Sequence, residues 1–165
     1  MHEKLERAAK LAEAMQAVGF TLWQLQAFEE SAVSWVVVRL HATRGMGAEA
    51  GEELAKKAER RTLGSVLREL RDEGVVAAPL AEELSEVLEL RNWLVHRARK
   101  EFHGMLTSDE LLSSLHVKLA NIAERALAAQ KAVAVELEQF VLSSGVSRAF
   151  IDREASALAL KWGLV

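Results

Sequence analysis

Leu112, Leu115, Leu119, Ile122, Ala126, Ala129 and Val133 recur at strictly alternating intervals of three and four, the spacing at which one face of an α-helix returns. A stripe of that length can be buried only along another long helix, so it commits the chain to helix-on-helix packing. Thr107 and Glu110 have capping-box spacing and open this segment, and Ser143, Ser144 and Gly145 close it. A sheet has little to build on. The β-branched runs are Val36 to Val38 and the pair Val75-Val76, too short to form one.

The other segments follow the same period. Residues 3 to 18 carry Leu5, Ala8, Ala12 and Met15 at helical spacing and stop near Gly19. Thr21 and Gln24 have capping-box spacing and open a second run, with Leu22, Leu25, Phe28, Ala32, Trp35 and Val36 inward as far as His41. The two runs are also compatible with one long, kinked helix. RGMGAEAG at 44–51 reads as a loop. EELAKKAERR after it reads as a polar helix with room to move, its KKAERR run either a solvated face or an arm for RNA. Thr62 is a cap and Gly74 a stop for a short helix with Leu63, Val66, Leu67 and Leu70 inward. Pro79 fits the first turn of a helix running to Gly104, and a last helix spans about 147 to 162 within the C-terminal segment 146–165. The expectation is a single all-α domain over 1–165, an up-and-down antiparallel bundle of about five or six helices.

Composition narrows the function. The chain has no cysteine, which removes disulfides, thiolate zinc sites and thiol nucleophiles and suits a reducing compartment. The formal charge of −3 supplies no global basic field, so any nucleic-acid role must rest on local charge. No apolar stretch approaches the roughly 20 residues of a membrane span and the N-terminus does not read as a signal, so we expect a cytoplasmic protein without membrane contact. Nothing matches a phosphate loop, a nucleophile elbow or a metalloprotease helix.

The informative stretch is LELRNWLVHRARKEFH at 88–103. Projected at ~100° per residue, Leu80, Leu84, Val87, Leu88, Leu94, Val95, Ala98 and Phe102 share a sector of roughly 120° that also contains Arg91. A guanidinium on an inner face must be paired, hydrated or held for a ligand. Beside that sector Asn92, His96, Arg99 and His103 form a polar edge. Arg91 and His96 are ~140° apart and do not converge within one chain. A two-fold axis near this helix would bring two copies of each into one groove, which points to a homodimer. Imidazole titrates near neutrality and serves as general base or acid, and arginine offers planar donors to a phosphate. With Asn92 as an orienting group, the set suits metal-free transesterification of RNA by its 2′-hydroxyl. Arg97, Arg99 and Lys100 add local charge for the RNA backbone.

RNWLVH also resembles the Arg-x4-6-His motif of HEPN domains, including the polar residue directly after the arginine. The upstream TLGSVLREL is similar to a stretch found before the motif in bacterial HEPN-like proteins. Arg97 and His103 fit the looser spacing too, but Ala98 follows Arg97, so the first pair is preferred. The resemblance covers about residues 20 to 140 as architecture. It implies a helical bundle whose motifs meet across a dimer cleft, acting without metal or cofactor as an endoribonuclease of a toxin-antitoxin or defence system. Arg91, His96 and Asn92 would be its catalytic residues, and an antitoxin or nucleotidyltransferase its protein partner. One HEPN toxin group carries a tyrosine two residues after the histidine, where its partner modifies it. Ala98 stands there in a chain without tyrosine, which puts that mode of control in doubt.

Plainer readings stand beside these. Arg91 can be a structural arginine paired with Glu29, Glu30 or Glu124, and His96 and His103 hydrogen-bonded surface residues. A His96/His103 metal site would need further ligands across roughly 10 Å of helix. Trp93 can pack on a neighbouring helix rather than stack on a base. The whole bundle can be a non-catalytic dimerisation or protein-interaction module.

Overall fold

A computed structural model describes residues 2–43 and 45–163, and all their side chains except those of Ala48 and Glu59. Among the described residues it is entirely helical outside its turns. The order is α1 (His2–Val36), a π-helical turn (Val37–His41), α2 (Ala48–Glu59), α3 (Leu63–Asp72), α4 (Ala78–His96), α5 (Ala98–Glu101), α6 (Asp109–Ser143) and α7 (Arg148–Lys161). The expected all-α bundle is therefore the architecture observed.

Helices α1 and α6, each of 35 residues and about 52 Å long, form its spine. They run parallel. Lys10 Nζ lies 2.7 Å from Asp109 Oδ1, Thr21 sits against Leu119, and the Arg39 guanidinium lies 4.4 Å from the Phe140 ring centroid, so positions along the two helices rise together. Helix α4 runs the other way along α6, with Glu86 beside Arg125 and Trp93 beside Lys118. Up-and-down alternation thus holds between α4 and α6, and α3 packs against both α1 and α4.

All seven residues of the α6 stripe are buried, as are Leu25, Phe28, Ala32, Trp35 and Val36 of α1 and Leu63, Val66, Leu67 and Leu70 of α3. They belong to one continuous core. At about 25 cal/mol per Å² of apolar surface removed from water, these interlocked stripes are the main favourable term in folding.

Several boundaries differ from the expectation. Gly19 does not stop α1, so of the two readings of this segment the single long helix is the one observed, with Gly19 exposed and open space around it. The ~1 kcal/mol it costs in helix propensity is outweighed by burial of the turns after it. Thr21 is accordingly no cap. It is buried inside α1, where its hydroxyl donates to the Ala17 carbonyl at 2.9 Å and reaches the Leu119 carbonyl of α6 at 3.2 Å, which ties the two long helices together. Helix α6 begins one residue later than the capping-box reading. Ser108 accepts from the Leu111 N–H, while the Thr107 hydroxyl donates back to Gly104.

The expected inner face of residues 3 to 18 is also revised: Leu5, Ala8, Ala12 and Met15 are exposed, and Ala14 is the residue buried there. Only the start of α6 accompanies this end of α1, so a single neighbour covers a narrow strip. Arg61, at the end of the KKAERR run, pairs with Glu69 of α3 and donates to the Ser65 carbonyl at 3.3 Å. Arg44 of the preceding loop lies outside the described residues.

Thr62 and Gly74 perform as the sequence indicates. Thr62 caps α3 by accepting from the Ser65 N–H. Gly74, at φ +64°, ends it in a Schellman turn, with Val75 N–H bonded to the Leu70 carbonyl and Gly74 N–H to that of Arg71.

Candidate functional site

Helix α4 divides its faces as its sequence suggests. Leu84, Val87 and Leu94 are buried against the core, while Glu89, Asn92 and His96, at intervals of three and four, lie on the exposed side. Val95, expected inward, is instead 48% exposed. His96 is the last residue of the helix.

The expected continuation to Gly104 is interrupted at Arg97, whose backbone leaves the helical range at φ −123° and ψ −30°. The reason lies in Trp93. Its indole N–H donates to Glu101 Oε2 at 2.6 Å, and its ring meets Phe102 edge-on with centroids 6.1 Å apart. Residues eight and nine positions on would lie about 12–14 Å further along a straight helix. Breaking the helix at Arg97 folds α5 back so that both reach the indole. Lys118 of α6 completes the arrangement, with Nζ 3.6 Å from the Trp93 ring centroid and 3.2 Å from Glu101 Oε1. The Trp93 N–H, and after it the Lys118 ammonium, hold the Glu101 carboxyl below the usual range. Trp93 is therefore packed within its own chain.

Against this fixed wall opens a cleft of about 600 Å³ lined by Glu89, Asn92, Trp93, His96 and Arg97. Asn92, His96 and Arg97 are all exposed to it. Arg99 and Lys100 stand exposed on α5, outside the lining. Among the described residues none of Arg97, Arg99 and Lys100 forms an ion pair, and of the three only Arg97 lines the cleft with His96. His103, also exposed, places Nδ1 3.1 Å from the Lys100 carbonyl. No group of three or more metal-ligating side chains gathers among the described residues, and no helix there is long and apolar enough to cross a membrane.

Arg91 does not join this cleft. Its Nε donates to Glu29 Oε1 of α1 at 3.0 Å, both side chains about one-third exposed. Glu29 lines a separate cleft, of about 620 Å³, with Gln26, Glu30, Ser34 and Arg61. The two ends of the motif thus open onto different surfaces of one chain, as their angular separation on α4 requires. Of the three carboxylates weighed as partners for Arg91, Glu29 is the one that meets it.

Sequence reasoning missed two carboxylates and a lysine. Glu89 was legible in principle, since it stands three residues before Asn92 and seven before His96 and so shares their face. Glu101 and Lys118 carried no such signal, because a break in α4 and the approach of α6 bring them to Trp93. No family model, curated protein or solved structure matches the chain.

Within one chain the cleft offers an imidazole at the end of a helix, an amide one turn before it, and a guanidinium directly after it. Such a set can hold a phosphodiester oxygen and move one proton. It does not by itself supply both the base that opens a transesterification and the acid that ends it, since these act on opposite sides of the phosphorus.

Proposed function

We propose that the protein is a HEPN-like, metal-independent endoribonuclease of a toxin-antitoxin or defence system, acting as a homodimer. The observation that carries this reading is the placement of His96: exposed at the end of α4 on a cleft it shares with Asn92 and Arg97, with Arg99 and Lys100 exposed on the helix that follows. Two such clefts brought together across a two-fold axis would present two imidazoles to one phosphodiester, one to take the 2′-hydroxyl proton and one to protonate the leaving 5′-oxygen. Asn92 orients the imidazole or the scissile phosphate. Arg97, Arg99 and Lys100 hold the RNA backbone, a contact that weakens with salt. Arg91, paired with Glu29 on another surface of its own chain, would reach the phosphate only by exchanging that carboxylate for it. The protein partner of such a dimer would be an antitoxin or nucleotidyltransferase that covers the shared groove.

A second reading is favoured by one specific contact. The Arg91–Glu29 ion pair is what a structural arginine makes, and it suits a non-catalytic helical module in which α4 is tied to α1 and used for dimerisation or protein binding.

Incubating the purified chain with RNA in the presence of chelator tests the first reading. Cleavage that leaves 2′,3′-cyclic ends and is lost in His96→Ala supports it. Absence of cleavage by the wild-type chain anywhere between about pH 6 and 8, the range over which imidazole changes charge, overturns it.

A further inference from the structure

The cleft at the end of α4 holds one group for which phosphodiester chemistry has no use. Glu89 lines it together with Asn92, Trp93, His96 and Arg97. It is exposed, and among the described residues its carboxylate takes part in no ion pair and no hydrogen bond. The positions three and four away along α4 are Ser85, Glu86, Asn92 and Trp93, none of them a cation, so pairing along the helix surface is closed to it. A free carboxylate beside a path for RNA repels the backbone. It weakens binding unless it meets something other than phosphate.

Glu89 and His96 stand seven residues apart, which sets them only about 20° apart around α4 but about 10 Å apart along it. The imidazole, with Arg97 directly after it, occupies one end of the cleft, and the carboxylate the other. That separation is close to the length of a nucleotide from its phosphorus to the outer edge of its base. The cleft, of about 600 Å³, lies within the range of roughly 300–1,000 Å³ that small-ligand sites occupy. A phosphate held at the His96 end therefore brings its base within reach of Glu89.

An ionised carboxylate only accepts hydrogen bonds. On its Watson–Crick edge guanine presents two donors side by side, N1–H and the N2 amino group, which meet the two carboxylate oxygens as a parallel pair, as a guanidinium does. Adenine and cytosine set a donor beside an acceptor nitrogen, and uracil sets one donor between two carbonyls. Each of these three brings a lone pair against the negative charge.

We propose that Glu89 is a specificity-determining residue, selecting guanine in the nucleotide whose phosphate lies at His96. The inference rests on the reading of the cleft as an RNA site and adds to it the base that the site prefers. It also sets the form of the RNA. In a duplex guanine has already given these donors to cytosine, so the base that Glu89 reads must be single-stranded. Trp93, between the two ends of the cleft in sequence and held by Glu101 and Lys118, keeps the wall along which the nucleotide lies fixed.

Binding separates base selection from cleavage. Single-stranded hexanucleotides of uridine with guanine, adenine, cytosine or uracil at one central position are made with 2′-O-methyl riboses, which block transesterification. They are titrated against the full-length chain by fluorescence anisotropy at one fixed salt concentration. The guanine oligomer should bind about tenfold tighter than the other three, as a bidentate base contact allows. Glu89→Gln exchanges one acceptor for a donor, so it should lose that preference and favour adenine or cytosine. Glu82→Gln, the same change of charge on α4 outside the cleft, should keep guanine first. A merely solvated glutamate predicts instead that Glu89→Gln strengthens all four alike through lost repulsion, and that result overturns the proposal. Wild-type binding of the four within about twofold of one another, or of none, overturns it too. Cleavage of the matching unmodified RNAs is scored separately. Base selection by a chain that does not cut upholds the role of Glu89 and removes the ribonuclease, whereas cutting without base selection upholds the ribonuclease and removes the role of Glu89.

Discussion

Replacing Arg91 by alanine separates the two roles that its position allows. Its Nε lies 3.0 Å from Glu29 Oε1, and the two side chains are 33% and 30% exposed. A buried pair broken at one end costs about 3–5 kcal/mol, whereas an exposed pair contributes about 0.2–1 kcal/mol. With a third of each side chain in water, Arg91→Ala should cost about 1–2 kcal/mol, a fall in melting temperature of roughly 2–8 °C for a domain of this size. Glu29→Gln, which keeps shape and removes charge, should cost about 1 kcal/mol or less. Chemical denaturation of both single variants and the double variant should give a coupling energy of about 1 kcal/mol. If Arg91 also stabilises the transition state, Arg91→Ala should lower the RNA cleavage rate about 100- to 1,000-fold, while Glu29→Gln, which leaves the guanidinium in place, should retain the rate within about tenfold. A coupling below about 0.3 kcal/mol would show that the ion pair ties nothing. Cleavage by Arg91→Ala at the wild-type rate would refute the catalytic role and leave the tie between α4 and α1 as its whole function.

Two further outcomes follow from the fold. Gly74→Ala forces a Cβ into the left-handed region at φ +64°, where there is open space but an unfavourable backbone, so it should cost about 1–2 kcal/mol in a denaturant titration, although the new methyl touches nothing. The Glu101 carboxyl, held below its usual range by Trp93 and then by Lys118, stabilises the fold of α5 above the ordinary glutamate pKa of about 4.3 and loses that contribution as pH falls through its lowered value. The Trp93 indole N–H resonance should therefore shift as the pH falls below the ordinary glutamate range, and Glu101→Gln should abolish the titration.

The sequence by itself determined the elements and their inner faces wherever one helix packs along its length on a long neighbour. The α6 stripe, the second half of α1 and the four inward residues of α3 were legible, because a 3.6-residue period and a continuous neighbour leave one face to bury. Thr62 and Gly74 were legible because capping is local chemistry. Asn92 and His96 were legible as a shared edge, and the divergence of Arg91 from them followed from helix geometry alone.

Tertiary structure decided the rest. Thr21 and Gly19 carry the signals of a helix boundary, yet packing against α6 outweighs ~1 kcal/mol of local preference and runs α1 straight through them. The carboxylate that meets Arg91, the break at Arg97 that brings Glu101 back to Trp93, and the exposure of Leu5, Met15 and Val95 depend on where separate helices come to lie. Helical period states which residues share a face. Only the arrangement of neighbours, fixed by contacts between residues distant in sequence, states whether that face meets protein or water.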